Sequence, residues 1–388
     1  MGHFNTIMNQ LLTHLPRHQF DSLAKNLGGD HHVRTFTSWQ HAVILLFAQI
    51  AGKDSLRDIA HSTLAQKSKL YHLGLPGGVA RSTLADANNR RDSAMFEGLF
   101  HKLLERCHQL APHHKFRFNN PIHSIDATTI DLCLALFPWA KFRTTKGALK
   151  LHCRLDHAGH LPSLVVITDG KVHDITAARQ SFDLIADSIY CFDKGYTDFG
   201  WFRRIEDTKA FFVTRAKDNL SYDIVGQQNT LKNKGVLMDA QIKLNGYKSS
   251  QDYPGTLRLV RYYDEESKRT FDFLTNNHRL AASTIAAIYK ARWQIEAFFK
   301  WIKQNLKIKT FLGTSRNAVL SQIWMAMCYY LLLAYIKFQS RCAHSLFYLH
   351  RLIQETLLDR FSLIDLLRLD TKKIPALRDQ EAQLCLSF

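Results

Sequence analysis

Pro121 divides this chain of 388 residues into two kinds of pattern, and the change of period there limits the fold more than any other feature. Up to about residue 118, apolar residues recur at helical spacing in 41–52, 55–74 and 94–110. Turn signals at Gly28-Gly29 and Pro76-Gly77-Gly78 separate these runs. Ser55 ahead of Leu56, with Asp58 three residues on, reads as a helix N-cap. Beyond Pro121 the run NPIHSIDATTIDLCL is β-branched and apolar, and ALKLHCRLDHAGHLPSLVVITDG reads as two strands about His157-Ala158-Gly159. A helical stretch, a buried strand IYCFDKGY, a second helix and the strand AFFVTRAK follow, giving the order β-β-β-α-β-α-β. That order predicts an α/β protein, a mixed sheet flanked by helices. Residues 217–284 read as a β-rich insertion with a turn at Asp264-Glu265-Glu266-Ser267. One long helix is expected from Ala281 through Lys309, then a buried helix around 319–338 and a polar helical tail. The implied units are 1–118, 119–216 with 285–340, 217–284 and 341–388.

Charge narrows the partner. Lys and Arg number 51 against 34 Asp and Glu, a net charge of +17, which predicts a polyanion, nucleic acid ahead of an anionic membrane. The seven cysteines are scattered without a C-x-x-C pair, which fits reduced thiols in the cytoplasm and excludes a cysteine-based zinc site. The N-terminus lacks the pattern of a signal peptide. The apolar run Ile323 to Ile336 is shorter than the roughly 20 residues a bilayer crossing needs, so it reads as a core helix and no membrane partner is expected. Residues 55–91 fit a helix-turn-helix, with Arg81, Ser82, Thr83, Asn88, Arg90 and Arg91 facing a DNA duplex; an ordinary αα-hairpin fits as well.

Two acids end predicted strands, Asp126 in HSIDATT and Asp193 in CFDKGY. A carboxylate inside an apolar run is costly unless neutralised, and clefts open where strands of such a sheet end. Either acid alone reads as a strand-terminal turn residue or the partner of an arginine; on neighbouring strands, together, they would suit divalent cations. In IYKARWQIEAFFKWIKQNLKIK, Tyr289, Arg292, Glu296 and Lys303 stand at i, i+3, i+7 and i+14. On a continuous helix, at about 100° per residue, they share an arc of roughly 60°. Glu296 could be a third ligand, with Arg292 and Lys303 holding a phosphate on either side.

This constellation resembles the DDE transposases of the bacterial insertion sequence 4 family. It carries Y-x2-R-x3-E-x6-K at Tyr289, Arg292, Glu296 and Lys303, preceded by Asp126 and Asp193, and the stretch 70–100 resembles the N-terminal region of one branch. The resemblance implies an RNase H-like catalytic domain of 119–216 and 285–340, an N-terminal helical DNA-binding domain, and two Mg²⁺ (or Mn²⁺) ions. It implies cut-and-paste chemistry on double-stranded DNA, the transposon's terminal inverted repeats and the target, by a homodimer on DNA in a bacterial cytoplasm. By resemblance Tyr289 and Arg292 contact phosphate, Trp293 matches a family tryptophan, and Lys303 meets DNA near the cleavage point. Family members place a base-stacking aromatic in the insertion; here Tyr222, Tyr247 and Tyr253 are the substitutes.

Basic residues accompany the acids: Lys141, Arg143, Lys146, Lys150 and Arg154 after the first, and Lys300, Lys303, Lys307 and Lys309 after the glutamate. Lys300, Lys303 and Lys307 would form one helical face. Such clusters bind backbone phosphates, although solvation of an exposed surface would look the same. Rival acids are Asp131, Asp169, Asp174 and Asp198, with His173 beside Asp174. Two other functions remain open from the sequence: an idle DNA-binding repressor, and an RNase H-like nuclease without strand transfer.

Overall fold

The computed structural model describes residues 5–75, 77–140, 146–228, 235–308 and 310–369. The N-terminal region forms α1 (Ile7–Thr13), α2 (Arg17–Asn26), α3 (Ser38–Ile50), α4 (Leu56–Ala65), α5 (Lys67–Leu70), α6 (Arg81–Arg90) and α7 (Ala94–Leu110). Side chains fix where these helices start. Thr37 opens α3 with a capping box, its hydroxyl accepting from Gln40 N (3.2 Å) while Gln40 Oε1 accepts from Thr37 N (2.9 Å). Ser55 Oγ accepts from Asp58 N at 3.1 Å, the cap expected for α4. The run 55–74 is not one helix: it divides at Gln66 into α4, α5 and a 3₁₀ turn over Tyr71–Leu73.

The expected order then appears as β1 (Ile122–Leu132), β2 (Gly147–Asp156), β3 (Leu161–Asp169), α8 (Asp174–Ser181), β4 (Ile189–Phe192), α9 (Phe199–Asp207) and β5 (Phe211–Arg215). After it come β6 (Tyr222–Gln227), β7 (Val236–Leu244), α10 (Tyr247–Asp252), β8 (Thr256–Asp264) and β9 (Arg269–Thr275). Among the described residues, these strands join one mixed sheet in the order β3-β2-β1-β4-β5-β9-β8-β7-β6. The β-rich stretch therefore extends the central sheet: β9 pairs antiparallel with β5, Val213 opposite Thr275.

The chain continues through α11 (Ala282–Ala291), α12 (Trp293–Asn305), α13 (Arg316–Ser340), α14 (Leu346–Thr356) and α15 (Leu363–Leu367). Two corrections follow. The single helix expected from Ala281 to Lys309 is interrupted at Arg292, where Arg292 N bonds Tyr289 O (3.1 Å) and Ile295 N bonds Arg292 O (3.0 Å), the tighter i→i+3 pattern. The segment after 340, as far as residue 369, is no mere polar tail: Leu349, Ile353 and Leu366 are buried, and Ile7 N and Met8 N bond Asp359 O and Leu357 O.

The main core lies on one face of the sheet. Leu149, Leu151 and Val165 belong to one apolar cluster with Val43 and Ile44 of α3, Leu99 and Leu103 of α7, and Leu331 of α13. The N-terminal helices and the sheet thus share one apolar interior, each buried leucine contributing about 2–3 kcal/mol. By length and composition α13 could cross a membrane, but 89% of its most apolar window is buried inside this protein. The opposite face buries Phe192, Trp201, Phe202 and Phe212.

Five histidines are buried among the described residues, and three of them are held furthest toward the neutral ring. His41 bonds Asn88 Oδ1 at 2.8 Å, His157 bonds Ser124 Oγ at 2.7 Å, and His123 stacks 5.5 Å from Tyr190. Burial is the main cause holding each down to about 3, with nearby cations adding to it. In the unfolded chain such rings take up protons near pH 6.5, and in the fold they cannot until about pH 3. Their contribution is complete above pH 6.5 and is lost as pH falls below it. The melting temperature is expected to drop by several degrees from pH 8 to pH 5, measured by calorimetry; an unchanged or higher value at pH 5 would contradict the assignment.

Candidate active site

Strand register brings the first two acids together. β1 and β4 run parallel from Ile122 opposite Ile189 to Ile125 opposite Phe192. Asp126 and Asp193 are the next residues on each, on strands spaced by about 4.8 Å. β4 ends there because Asp193 turns its carboxylate onto its own backbone, Oδ1 accepting from Gly195 N at 2.9 Å, which caps a 3₁₀ turn over Lys194–Tyr196. β1 runs on to Leu132, pairing with β2.

The third acid arrives from a helix packed on β1. Glu296 lies in the first turn of α12, and Arg292 at the break reaches both sides of the cluster. Its Nη2 donates to Glu296 Oε1 at 2.7 Å, and its Nη1 lies 3.7 Å from Asp126 Oδ2. The Tyr289 ring is 5.4 Å from the guanidinium and 4.9 Å from Phe273. Burial, above all, lifts the Asp126 carboxyl to about 6. The carboxylates of Asp193 and Glu296 add to the rise, against the Ala127 N–H and Arg292.

Three carboxylates are the donor type a hard divalent cation prefers: Asp126 within β1, where a strand end was expected, Asp193 just past the end of the neighbouring β4, and Glu296 linked to Asp126 through Arg292. As they stand, no three His, Cys, Asp or Glu side chains among the described residues form a ready chelate. Glu296 is engaged by Arg292.

The surrounding basic residues divide. Trp293 is 65% exposed beside the cluster, and Lys300 is exposed. Lys303 is half-buried on α12. Lys307 does not continue their face: α12 ends at Asn305, Leu306 is extended, and Lys307 Nζ pairs with Asp54 Oδ1 at 2.7 Å. Arg81 and Arg90 are exposed on α6, Arg90 pairing with Asp86. Arg91, expected to face DNA, is buried instead. It is 7% exposed, turned inward to bond the carbonyls of Phe36 and Gly29 and to lie 5.1 Å from the Phe36 ring. Asn88 is likewise buried against His41, so neither residue faces a duplex in this structure. Lys141, Arg143 and Lys309 lie outside the described residues.

Two of the rival acids find other partners. Asp198 caps α9 through Trp201 N and pairs with Arg179. Asp174 pairs with Lys150 at 3.0 Å. Asp131 and Asp169 are exposed. Tyr253 is buried at 1% exposure, while Tyr222 and Tyr247 flank the end of β7 opposite Val236, away from the acids. Sequence reasoning missed Tyr196. Its buried hydroxyl lacks a hydrogen-bond partner among the described residues, and its pKa is raised by burial and then by Asp126, Asp174 and Asp193. Only its place three residues after Asp193 could have flagged it.

Residues 118–332 match the transposase DDE domain family. This chain belongs to the DDE transposases. Residues 3–76 match a separate domain of unknown function. A relative named as transposase y4zB from Sinorhizobium fredii is 38% identical to this transposase over 254 residues, 64% of this chain and 69% of that one. One named for insertion sequence element IS5377 of Geobacillus stearothermophilus is 26% identical over 343 residues, covering 88% and 87%. One named for element IS4SA of Synechocystis is 23% identical over 315 residues, covering 79% and 87%. Among solved structures, piggyBac transposase in a synaptic complex with hairpin DNA aligns with a TM-score of 0.47 at 10% identity, over 97% of this chain and 82% of that one, too distant to carry any inference.

Proposed function

We propose that this transposase cuts double-stranded DNA at the terminal inverted repeats of its own element and joins the freed 3′-hydroxyl to target DNA. The observation that carries the proposal is that Asp126 and Asp193 directly follow paired residues of neighbouring parallel strands while Arg292 links Asp126 to Glu296, within a DDE domain. In this proposal Asp126, Asp193 and Glu296 would hold two Mg²⁺ or Mn²⁺ ions, which would supply water activation and relief of charge on the phosphate. Tyr289 and Arg292 hold a backbone phosphate beside the acids, Trp293 stands against the adjacent nucleotide, and Lys300 and Lys303 track the strand. Lys307, Arg81 and Arg90 belong to the wider DNA contact, with the helical unit 1–118 gripping the element's end and 119–216 with 285–340 doing the chemistry. Joining two ends calls for a homodimer on DNA, working in the cytoplasm of a bacterium. The spacing from Tyr289 to Lys303 supports placement in the insertion sequence 4 family.

A repressor without catalysis would have no use for three converging carboxylates, and an RNase H-like nuclease would have little use for a phosphate clamp. The test incubates purified protein with Mg²⁺ and DNA bearing the element's ends, scoring nicks and joined products on a denaturing gel. Cleavage at the ends followed by joining is expected. Cleavage without joining would favour the nuclease, and binding without cleavage the repressor.

A further inference from the structure

We infer that Arg292 is the counter-ion that keeps the acid cluster shut, so that a divalent cation and a DNA phosphate load together and not independently. This rests on the proposal above that Asp126, Asp193 and Glu296 are the metal ligands. One guanidinium spans the first and third acids, 2.7 Å from Glu296 Oε1 and 3.7 Å from Asp126 Oδ2. It is 9% exposed, lies against Tyr289, and its Nε is buried without a hydrogen-bond partner among the described residues. The cluster therefore holds its neutralising charge in the very place where a cation's charge belongs, and it is no ready chelate as it stands.

A cation entering the cluster needs the Glu296 oxygen that Arg292 now occupies, and its charge repels the guanidinium. Arginine gives up a carboxylate most readily when offered another bidentate anion, and a backbone phosphate is one. A phosphate at the rim draws Arg292 off Glu296 and opens the acids. A bound cation in turn frees Arg292 for phosphate. The two effects are one coupling free energy and must be equal in both directions. Arg292 is placed for this at the junction of two helices, where i→i+3 bonds interrupt the regular ladder.

The test titrates the full-length protein with Mn²⁺, counting free ion by electron paramagnetic resonance, with and without a short duplex. The Asp126→Asn/Glu296→Gln chain gives the background of ions held by DNA and surface. Wild type is expected to bind Mn²⁺ weakly alone and roughly tenfold more tightly with duplex, the scale of one charged hydrogen bond. Arg292→Gln is expected to bind Mn²⁺ about tenfold more tightly than wild type without DNA, and the duplex should then add little. Arg292→Lys, which keeps the charge but cannot span both acids, should fall between; circular dichroism verifies folding of each. Arg292→Gln binding Mn²⁺ no better than wild type, or a duplex that leaves wild-type affinity unchanged, overturns the coupling and leaves the metal ligands standing. Equal Mn²⁺ binding by wild type and the double variant with duplex present overturns both.

Discussion

Asp126→Asn is expected to reduce strand cleavage roughly a thousandfold or more, about 4 kcal/mol of barrier, while stabilising the protein without metal. The two effects have one origin. Asp126 lies 3.7 Å from Arg292 and in the fields of Asp193 and Glu296, and burial lifts its carboxyl to about 6. A carboxyl that titrates higher in the fold than in the unfolded chain weakens the fold wherever it is ionised. That cost is complete above pH 6 and fades as pH falls toward 4. Asparagine keeps the shape and removes the charge, so the variant should gain about 1–3 kcal/mol at pH 8, with the gain shrinking in acid. Calorimetry checks the stability and a nicking assay the activity. Glu296→Gln and Asp193→Asn should lose cleavage similarly, and double variants little more, because the acids act as one unit. If Glu296→Gln cuts as fast as wild type, the assignment of the three acids is wrong.

Arg258→Ala is expected to cost about 3–5 kcal/mol of stability, as breaking a buried ion pair does. Arg258, 2% exposed on β8, grips both oxygens of Asp239 on β7 at 2.7 Å and donates to the carbonyls of Asn277 (3.0 Å) and Leu280 (2.6 Å). One side chain thus splices the outer sheet to the connection that enters α11, the helix carrying Tyr289. Alanine would strand the Asp239 carboxylate and two carbonyls in the interior. The loss should be visible as a lower urea midpoint. Arg258→Met with Asp239→Leu should recover part of it, since the uncompensated charge is gone. A midpoint for Arg258→Ala equal to wild type would show that this pair does not hold the connection.

The inner strands were readable because they are local. Apolar runs, turns and their order specify β1 to β5, and an acid that ends an apolar run is conspicuous, which is why Asp126 and Asp193 stand out. Glu296 stood out for its polar stripe on an otherwise apolar helix. Helical spacing failed where the backbone departs from one axis. The break at Arg292 invalidates a single-helix projection from Tyr289 to Lys303, and the end of α12 at Asn305 removes Lys307 from the lysine face. Arg90 and Arg91 are neighbours in a basic run, yet one is exposed and the other serves as an internal tie to Gly29 and Phe36.

By itself the sequence determined the period of each segment, hence the α/β class, and the chemical kinds of side chain that cap its strands. Whether the outer β-segment stands apart or widens the central sheet was settled by the β5–β9 pairing, a contact between residues distant along the chain. The same holds for Arg292, whose position between Asp126 and Glu296 depends on how a helix packs across a strand end. Local steric preference acts within a few residues and can be read from them. Burial and ion pairing depend on what the rest of the chain brings alongside, and only the folded molecule specifies that.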